Sequence, residues 1–147
     1  MPYRFSGGGL PSDVHTFAVA NFDNQTATPQ LPKEMTDALR ERVRNRLGLR
    51  SASEKKANAL IRGTIQRYEI DIPVGFSASN KHQTTATRSL ELRVDIEMID
   101  QVNGKTLWQK KDALAQVSYQ EGGEPAARKR AIAQLVDDII EGAQSQW

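Results

Sequence analysis

The stretch Arg88-Ser89-Leu90-Glu91-Leu92-Arg93-Val94-Asp95-Ile96-Glu97-Met98-Ile99 decides how the rest of the chain is read. Leu90, Leu92, Val94, Ile96 and Met98 alternate one for one with Glu91, Arg93, Asp95 and Glu97. Successive side chains of a strand point to opposite faces, so the pattern predicts a strand with one buried face and one wet face. A sheet that is wet on one side needs cover only on the other.

Downstream, Val102-Asn103-Gly104-Lys105 carries an Asn-Gly pair, whose tolerance of positive φ suits a tight hairpin, and a partner strand is expected from Thr106 through Trp108 to Val117 or Tyr119. Upstream, a strand is expected from Leu60-Ile61 through Ile65, Tyr68, Ile70 and Ile72 to Pro73. Its inward phase slips between Ile65 and Tyr68, which predicts a β-bulge. The Gly-, Ser-, Thr- and Asn-rich segment from Pro73 to Thr87 reads as a long hairpin connection. Val14, Thr16, Phe17, Val19 and Phe22 form a first strand, ended by Asp23-Asn24-Gln25-Thr26.

Two helices supply the cover. Leu31, Met35, Leu39, Val43 and Leu47 recur every four residues after Pro32, and Gly48 follows as a stop, so a helix is predicted over Pro32 to Leu47. Gly122-Gly123-Glu124-Pro125 starts a second helix, with Ile132, Leu135, Val136, Ile139 and Ala143 on one face and Gln134, Asp137 and Glu141 on the other. The order β-α-β-β-β-α predicts an α+β two-layer sandwich: a four-stranded, mainly antiparallel sheet with two helices packed on one face. Residues 1–13, with Ser6-Gly7-Gly8-Gly9-Leu10-Pro11, read as a flexible N-terminal arm, and residues 14–147 as a single domain.

With 147 residues, such a domain buries about 68–70% of the surface its unfolded chain exposes, enough to fold without metal or disulfide. Hydrophobic residues make up 38% and charged residues 26%, so the core is thin but patterned. The net charge of +2 and the pI of about 9.0 permit an anionic partner without requiring one. With no cysteine, thiolate nucleophiles, cysteine metal sites and disulfides are excluded.

Catalysis finds no constellation. His15 and His82 have no second ligand at metal spacing, and no cofactor is expected. The carboxylates Glu34, Asp37 and Glu41, and Asp137, Asp138 and Glu141, fall on polar helix faces, and no serine stands in a nucleophile elbow. The triple glycine at Gly7-Gly8-Gly9 follows no strand and precedes no Gly-Lys-Ser/Thr, so it is no phosphate loop. Nucleic acid is disfavoured as a partner, because the wet face carries Glu91, Asp95 and Glu97 beside Arg93 and aromatic residues are only 6% of the chain.

Arg40, Arg42, Arg44 and Arg46 spread around the helix cylinder, with Asp37 and Glu41 placed to pair with Arg40 and Arg44. A second basic set is more suggestive. Lys81 and Arg88 flank the long hairpin that carries Phe76, and Lys105, Lys110 and Lys111 follow the next turn. Apolar tips beside cations suit an amphiphile with an anionic head; a solvated loop is the alternative.

The segments Tyr3-Arg4-Phe5-Ser6-Gly7 with Leu10-Pro11, then Val14 to Val19, Phe22 and Asn24-Gln25-Thr26, resemble the start of the lipopolysaccharide-assembly lipoproteins, the LptE family. Ala59-Leu60-Ile61-Arg62-Gly63-Thr64-Ile65 is similar to that family's second strand, Gly104-Lys105-Thr106-Leu107-Trp108 to its turn into the fourth, and the closing helix with Trp147 to its end. The resemblance implies an outer-membrane lipoprotein, anchored by lipid on the periplasmic face, that binds lipopolysaccharide and plugs a β-barrel translocon of the LptD type. Phe76, Lys81, Arg88, Lys105, Lys110 and Lys111 are then the candidate lipopolysaccharide contacts. The family's mature chain begins with a lipidated cysteine, whereas position 1 here is Met, read as replacing or preceding the anchor position. The alternative is another periplasmic lipoprotein of similar shape, a regulator of cell-wall synthesis or a secretion-pore component, whose first strand also ends in Phe-x-Asn.

Overall fold

A computed structural model describes residues 11–73 and 87–145. In chain order it contains β1 (Thr16–Val19), β2 (Asp23–Asn24), α1 (Leu31–Arg42) prolonged by a π-helical turn (Val43–Leu47), β3 (Arg50–Ser51), β4 (Ala59–Pro73), β5 (Thr87–Asp100), β6 (Lys105–Gln120) and α2 (Glu124–Ser145). The Gly-rich part of the N-terminal arm, most of the long hairpin connection and Trp147 lie outside the described residues.

The decisive strand behaves as its alternation predicts. Along β5, Leu90, Leu92, Val94, Ile96 and Met98 are buried, and each such side chain contributes about 1.5–3 kcal/mol of burial. β4, β5 and β6 form an antiparallel meander. The expected bulge in β4 falls between Ile65 and Arg67, and a second irregularity follows between Glu69 and Ile72, where Asp71 takes φ 60°.

The expected four-stranded, mainly antiparallel sheet is instead a mixed sheet of six strands in the order β3-β1-β4-β5-β6, with β2 also beside β4. Two local events account for the difference. The apolar run Val14 to Phe22 is interrupted after Val19, yet the chain stays against β4: the N–H of Ala20 donates to Ile61 O at 2.9 Å and that of Gln25 to Ile65 O at 2.9 Å, and β2 forms between them. At the far end of α1, Gly48 takes the left-handed conformation with φ 70° and turns the chain beside β1, where two residues pair as β3. β1 and β4 are parallel because α1 crosses back between them.

Both helices cover the same face. α1 buries Leu31, Met35, Thr36 and Leu39, starts with Pro32 in its first turn, and has Glu34 in its first turn and Arg40 and Arg42 in its last, as the helix dipole favours. α2 buries Ala127, Ala131, Ile132, Leu135, Val136, Ile139, Ile140 and Ala143 against β5, β6 and α1. Its Gly142 lies under the Trp108 indole, where a Cβ would come within 2.9 Å of the ring nitrogen. No helix among the described residues is long and apolar enough to cross a membrane.

Polar side chains pin one end of the sheet. Asn58 Oδ1 accepts from the N–H groups of His15 (2.8 Å) and Thr16 (3.1 Å), and the Thr16 hydroxyl accepts from Asn58 N–H. In the β5–β6 turn, Asp100 is buried and its carboxylate accepts from the N–H groups of Val102 (2.9 Å) and Asn103 (3.1 Å) and from the Asn103 amide (2.8 Å). Burial opposes the charge on Asp100, but these hydrogen bonds outweigh it and hold the carboxyl below its ordinary range.

Candidate functional site

The candidate residues divide among three places. Phe76 and Lys81 lie outside the described residues. Arg88 sits at the hairpin end of β5, opposite Pro73 of β4 and Tyr119 of β6. Its guanidinium approaches the Asp71 carboxylate at 3.6 Å and is 30% exposed, so the charge is shared between Asp71 and solvent. Tyr119 completes this node: its hydroxyl donates to Asp71 Oδ1 at 2.9 Å and accepts from the Asp71 N–H at 2.8 Å. Burial, reinforced by the bond to Asp71, pushes the Tyr119 hydroxyl up, so it stays a donor. The left-handed backbone of Asp71 is thus held by a buried tyrosine at the base of the long hairpin.

Lys105 lies at the opposite end of the sheet, paired in register with Asp100, and so shares no site with Arg88. Lys110 and Lys111 stand partway along β6. There they line an open cavity of about 480 Å³ with Arg62, Asp95, Glu97 and Gln109. The cavity is mixed in charge: Arg62 Nε donates to Glu97 at 2.7 Å, and Asp95 accepts from the Gln66 amide at 2.6 Å and from the Asp112 N–H at 2.8 Å. β6 is the terminal strand of the sheet, and Asp112 takes φ 60° where its register with β5 shifts. Paired lysines beside an irregularity are also what keeps a long open edge from pairing with another chain.

The wet face of the sheet carries a charge lattice that sequence spacing announced only in part. Arg93 Nε donates to Glu91 at 2.8 Å and its Nη1 lies 3.7 Å from Asp112. This pairing with Arg93 holds the Glu91 carboxyl below its ordinary range.

A second constellation joins both helices to the sheet and was not read from the sequence. Arg128, on α2, donates to Glu34 of α1 at 2.8 Å and to Glu124 of its own helix at 2.7 Å, and the Tyr68 hydroxyl of β4 donates to the same Glu124. Burial first, then the bond to Glu124, pushes the Tyr68 hydroxyl up, and the bond to Glu34 raises Arg128. Glu124 and Arg128 are at helical spacing, which the sequence displays. The link to Glu34 depends on the two helices packing side by side, which it does not. Arg42 likewise reaches Asp137 across the helix pair, whereas Glu41 and Arg44 make no ion pair among the described residues.

The fold is a two-layer α+β sandwich whose described surface carries paired charges. Among solved structures, the chain is similar to the protein CT253 of Chlamydia trachomatis, with a TM-score of 0.57 at 9% identity, covering 88% of this chain and 98% of that one. It is similar to a PelC dodecamer from Paraburkholderia phytofirmans (TM-score 0.56, 16% identity, 95% and 94% covered). A minor lipoprotein of Acinetobacter baumannii shares the fold as well, with a TM-score of 0.51 at 14% identity and 92% and 94% covered. At these identities the likeness is one of fold. No curated protein matches the sequence at a significant level.

The sequence profile of the LptE family, described as lipopolysaccharide-assembly, matches residues 14–141. The chain belongs to the LptE family.

Proposed function

We propose that this protein assists lipopolysaccharide delivery to the cell surface by binding lipopolysaccharide and by seating as a plug within an outer-membrane β-barrel of the LptD type, held to the periplasmic face of the outer membrane by an N-terminal lipid anchor. The observation that carries the reading is the family match across residues 14–141, which spans β1 through most of α2. The reaction class is binding, with no covalent step and no cofactor.

Lipopolysaccharide contact is assigned to the hairpin end, where Phe76, Lys81 and Arg88 combine an apolar group with cations suited to an anionic amphiphile. Lys110 and Lys111 form an auxiliary cationic pair on β6, and Lys105, at the far end, is the weakest member of the set. The test is direct binding of lipopolysaccharide to the chain carrying Lys81→Glu together with Arg88→Gln. The amide at position 88 spares Asp71 a like-charged neighbour, so the fold is retained. Affinity is expected to fall at least tenfold with an unchanged circular dichroism melt; unchanged affinity removes the hairpin end from the site.

A further inference from the structure

β6 ends the sheet, and among the described residues no strand pairs with its outer side. Its two halves differ. The first, from Lys105 to Asp112, carries Lys105, Lys110, Lys111 and Asp112, and both register shifts against β5 fall within it. Charges and irregularities of this kind stop an open edge from pairing. The second half, Ala113-Leu114-Ala115-Gln116-Val117-Ser118-Tyr119-Gln120, has neither: it carries no charge and no proline, and it runs in unbroken register with Val94 to Thr87 of β5.

The direction of its main-chain groups follows from two contacts. Ser118 O accepts from Arg130 Nη2 of α2 at 3.2 Å, which sets that carbonyl on the side away from β5. On the far side of β5, Asp95 O stands 2.2 Å from the Cβ position of Gly63, so it faces β4. Main-chain groups of an antiparallel strand turn toward and away from a neighbour at alternate residues. Arg88, Leu90, Leu92 and Val94 therefore bond to Tyr119, Val117, Ala115 and Ala113, and the groups of Leu114, Gln116 and Ser118 face outward. Arg130 is exposed, so its bond to Ser118 O is exchanged for another donor at little cost. The edge is open at its start as well: Leu114 is 38% exposed and lines, with Trp108, Asp138 and Gly142, a depression of about 570 Å³ between β6 and α2.

We propose that Ala113 to Gln120 is a strand-pairing site that takes an extended, uncharged segment of the barrel chain as one further strand. A row of outward N–H and C=O groups is matched by another extended main chain, and the lack of charge along the row selects a neutral one. The inference rests on the barrel reading above and adds to it the surface of contact. The strands of a closed barrel are already paired on both sides, so the segment belongs to a part of that chain outside the barrel wall. Lys110, Lys111 and the irregularity at Asp112 limit the site at one end. The turn after Gln120, whose carbonyl accepts from Gly123 N–H at 2.8 Å, limits it at the other.

The test captures the lipidated protein from solubilised outer membranes, as the parent chain and as variants. Gln116→Pro removes an outward N–H that the β5–β6 ladder does not use, a position at which an edge strand accepts proline. Gln116→Lys with Ser118→Lys installs the charge that the edge lacks, and Glu91, which now accepts from the Gln116 amide, remains as a partner for the new cation. Each change is expected to lower barrel recovery about tenfold or more, with an unchanged thermal melt of the free chain. Should the proline chain melt early, the lysine pair alone decides. A charge-matched control at exposed positions of α2, Ala126→Lys with Gln134→Lys, should lower recovery less than about threefold. A benzophenone side chain at position 116 should crosslink to an uncharged stretch of the barrel chain. Full recovery by the edge variants, equal losses in edge and control variants, or a crosslink within the chain or to a second copy overturns the inference and leaves the assembly role standing. Failure of the parent chain to recover any barrel removes both.

Discussion

Gly63 lies where β4 runs beneath Phe22 and beside β5, and a Cβ built on it would stand 2.2 Å from the backbone oxygen of Asp95 and 2.7 Å from the Phe22 ring. Neither neighbour can yield without moving the sheet. Gly63→Ala is therefore expected to destabilise the fold by about 3 kcal/mol, at the upper end of overpacking costs, as measured by urea denaturation. The glycine of the Leu-Ile-x-Gly strand is thus fixed by the approach of the Asp95 carbonyl and of Phe22, a reason invisible in the one-dimensional motif. Asp100 makes the complementary case for a polar residue. Its folded-state carboxyl titrates below the ordinary value, so its stabilisation is present in full above that value and is lost as pH falls through the folded one. Asp100→Ala should cost about 2 kcal/mol at neutral pH. The difference from the parent chain should shrink as pH falls below the ordinary carboxylate value, and chemical melts from neutral pH down through that value check it.

At the scale of elements, the alternation in β5, the bulge after Ile65 in β4 and the four-residue apolar spacing of α1 were legible because each is a local pattern with a local cause. The two-residue strands β2 and β3 were not. They carry no alternation of their own and exist because Ala20, Gln25 and Arg50 find carbonyl partners on neighbouring segments distant in sequence. The same distinction separates the charge pairs. Asp37 with Arg40 was readable from spacing, while Glu34 with Arg128 needed the helices to be side by side. Arg128 is only 14% exposed and serves two carboxylates and, through Glu124, the hydroxyl of Tyr68. Arg128→Met leaves those carboxylates facing each other without their cation, and is expected to destabilise the fold by about 2 kcal/mol. Replacing Glu34 alone by Gln should cost less, because Arg128 keeps Glu124. Thermal melts of the two variants provide the comparison.

Across the whole molecule, the sheet separates two ends of different character. One end holds the Asp71–Tyr119–Arg88 node from which the long hairpin departs; the other holds Arg50 and Lys105, which make no ion pair among the described residues. The six candidate residues read as one basic set in the sequence because they are close along the chain. The length of β5, 14 residues from Thr87 to Asp100, carries Arg88 and Lys105 to opposite ends of the molecule. A strand of that length spans roughly 45 Å at about 3.3 Å per residue, so proximity in sequence meant separation in space. Family membership came from motif order across the chain rather than from any single site, which is why it was legible before the site geometry was. The proposal that this domain works as an assembly partner of an outer-membrane barrel is decided by expressing the lipidated protein and capturing it from solubilised outer membranes. An LptD-type β-barrel is expected in stoichiometric amount, with lipopolysaccharide in the complex; a cell-wall synthase or a secretion-pore subunit recovered in its place would overturn the assembly role.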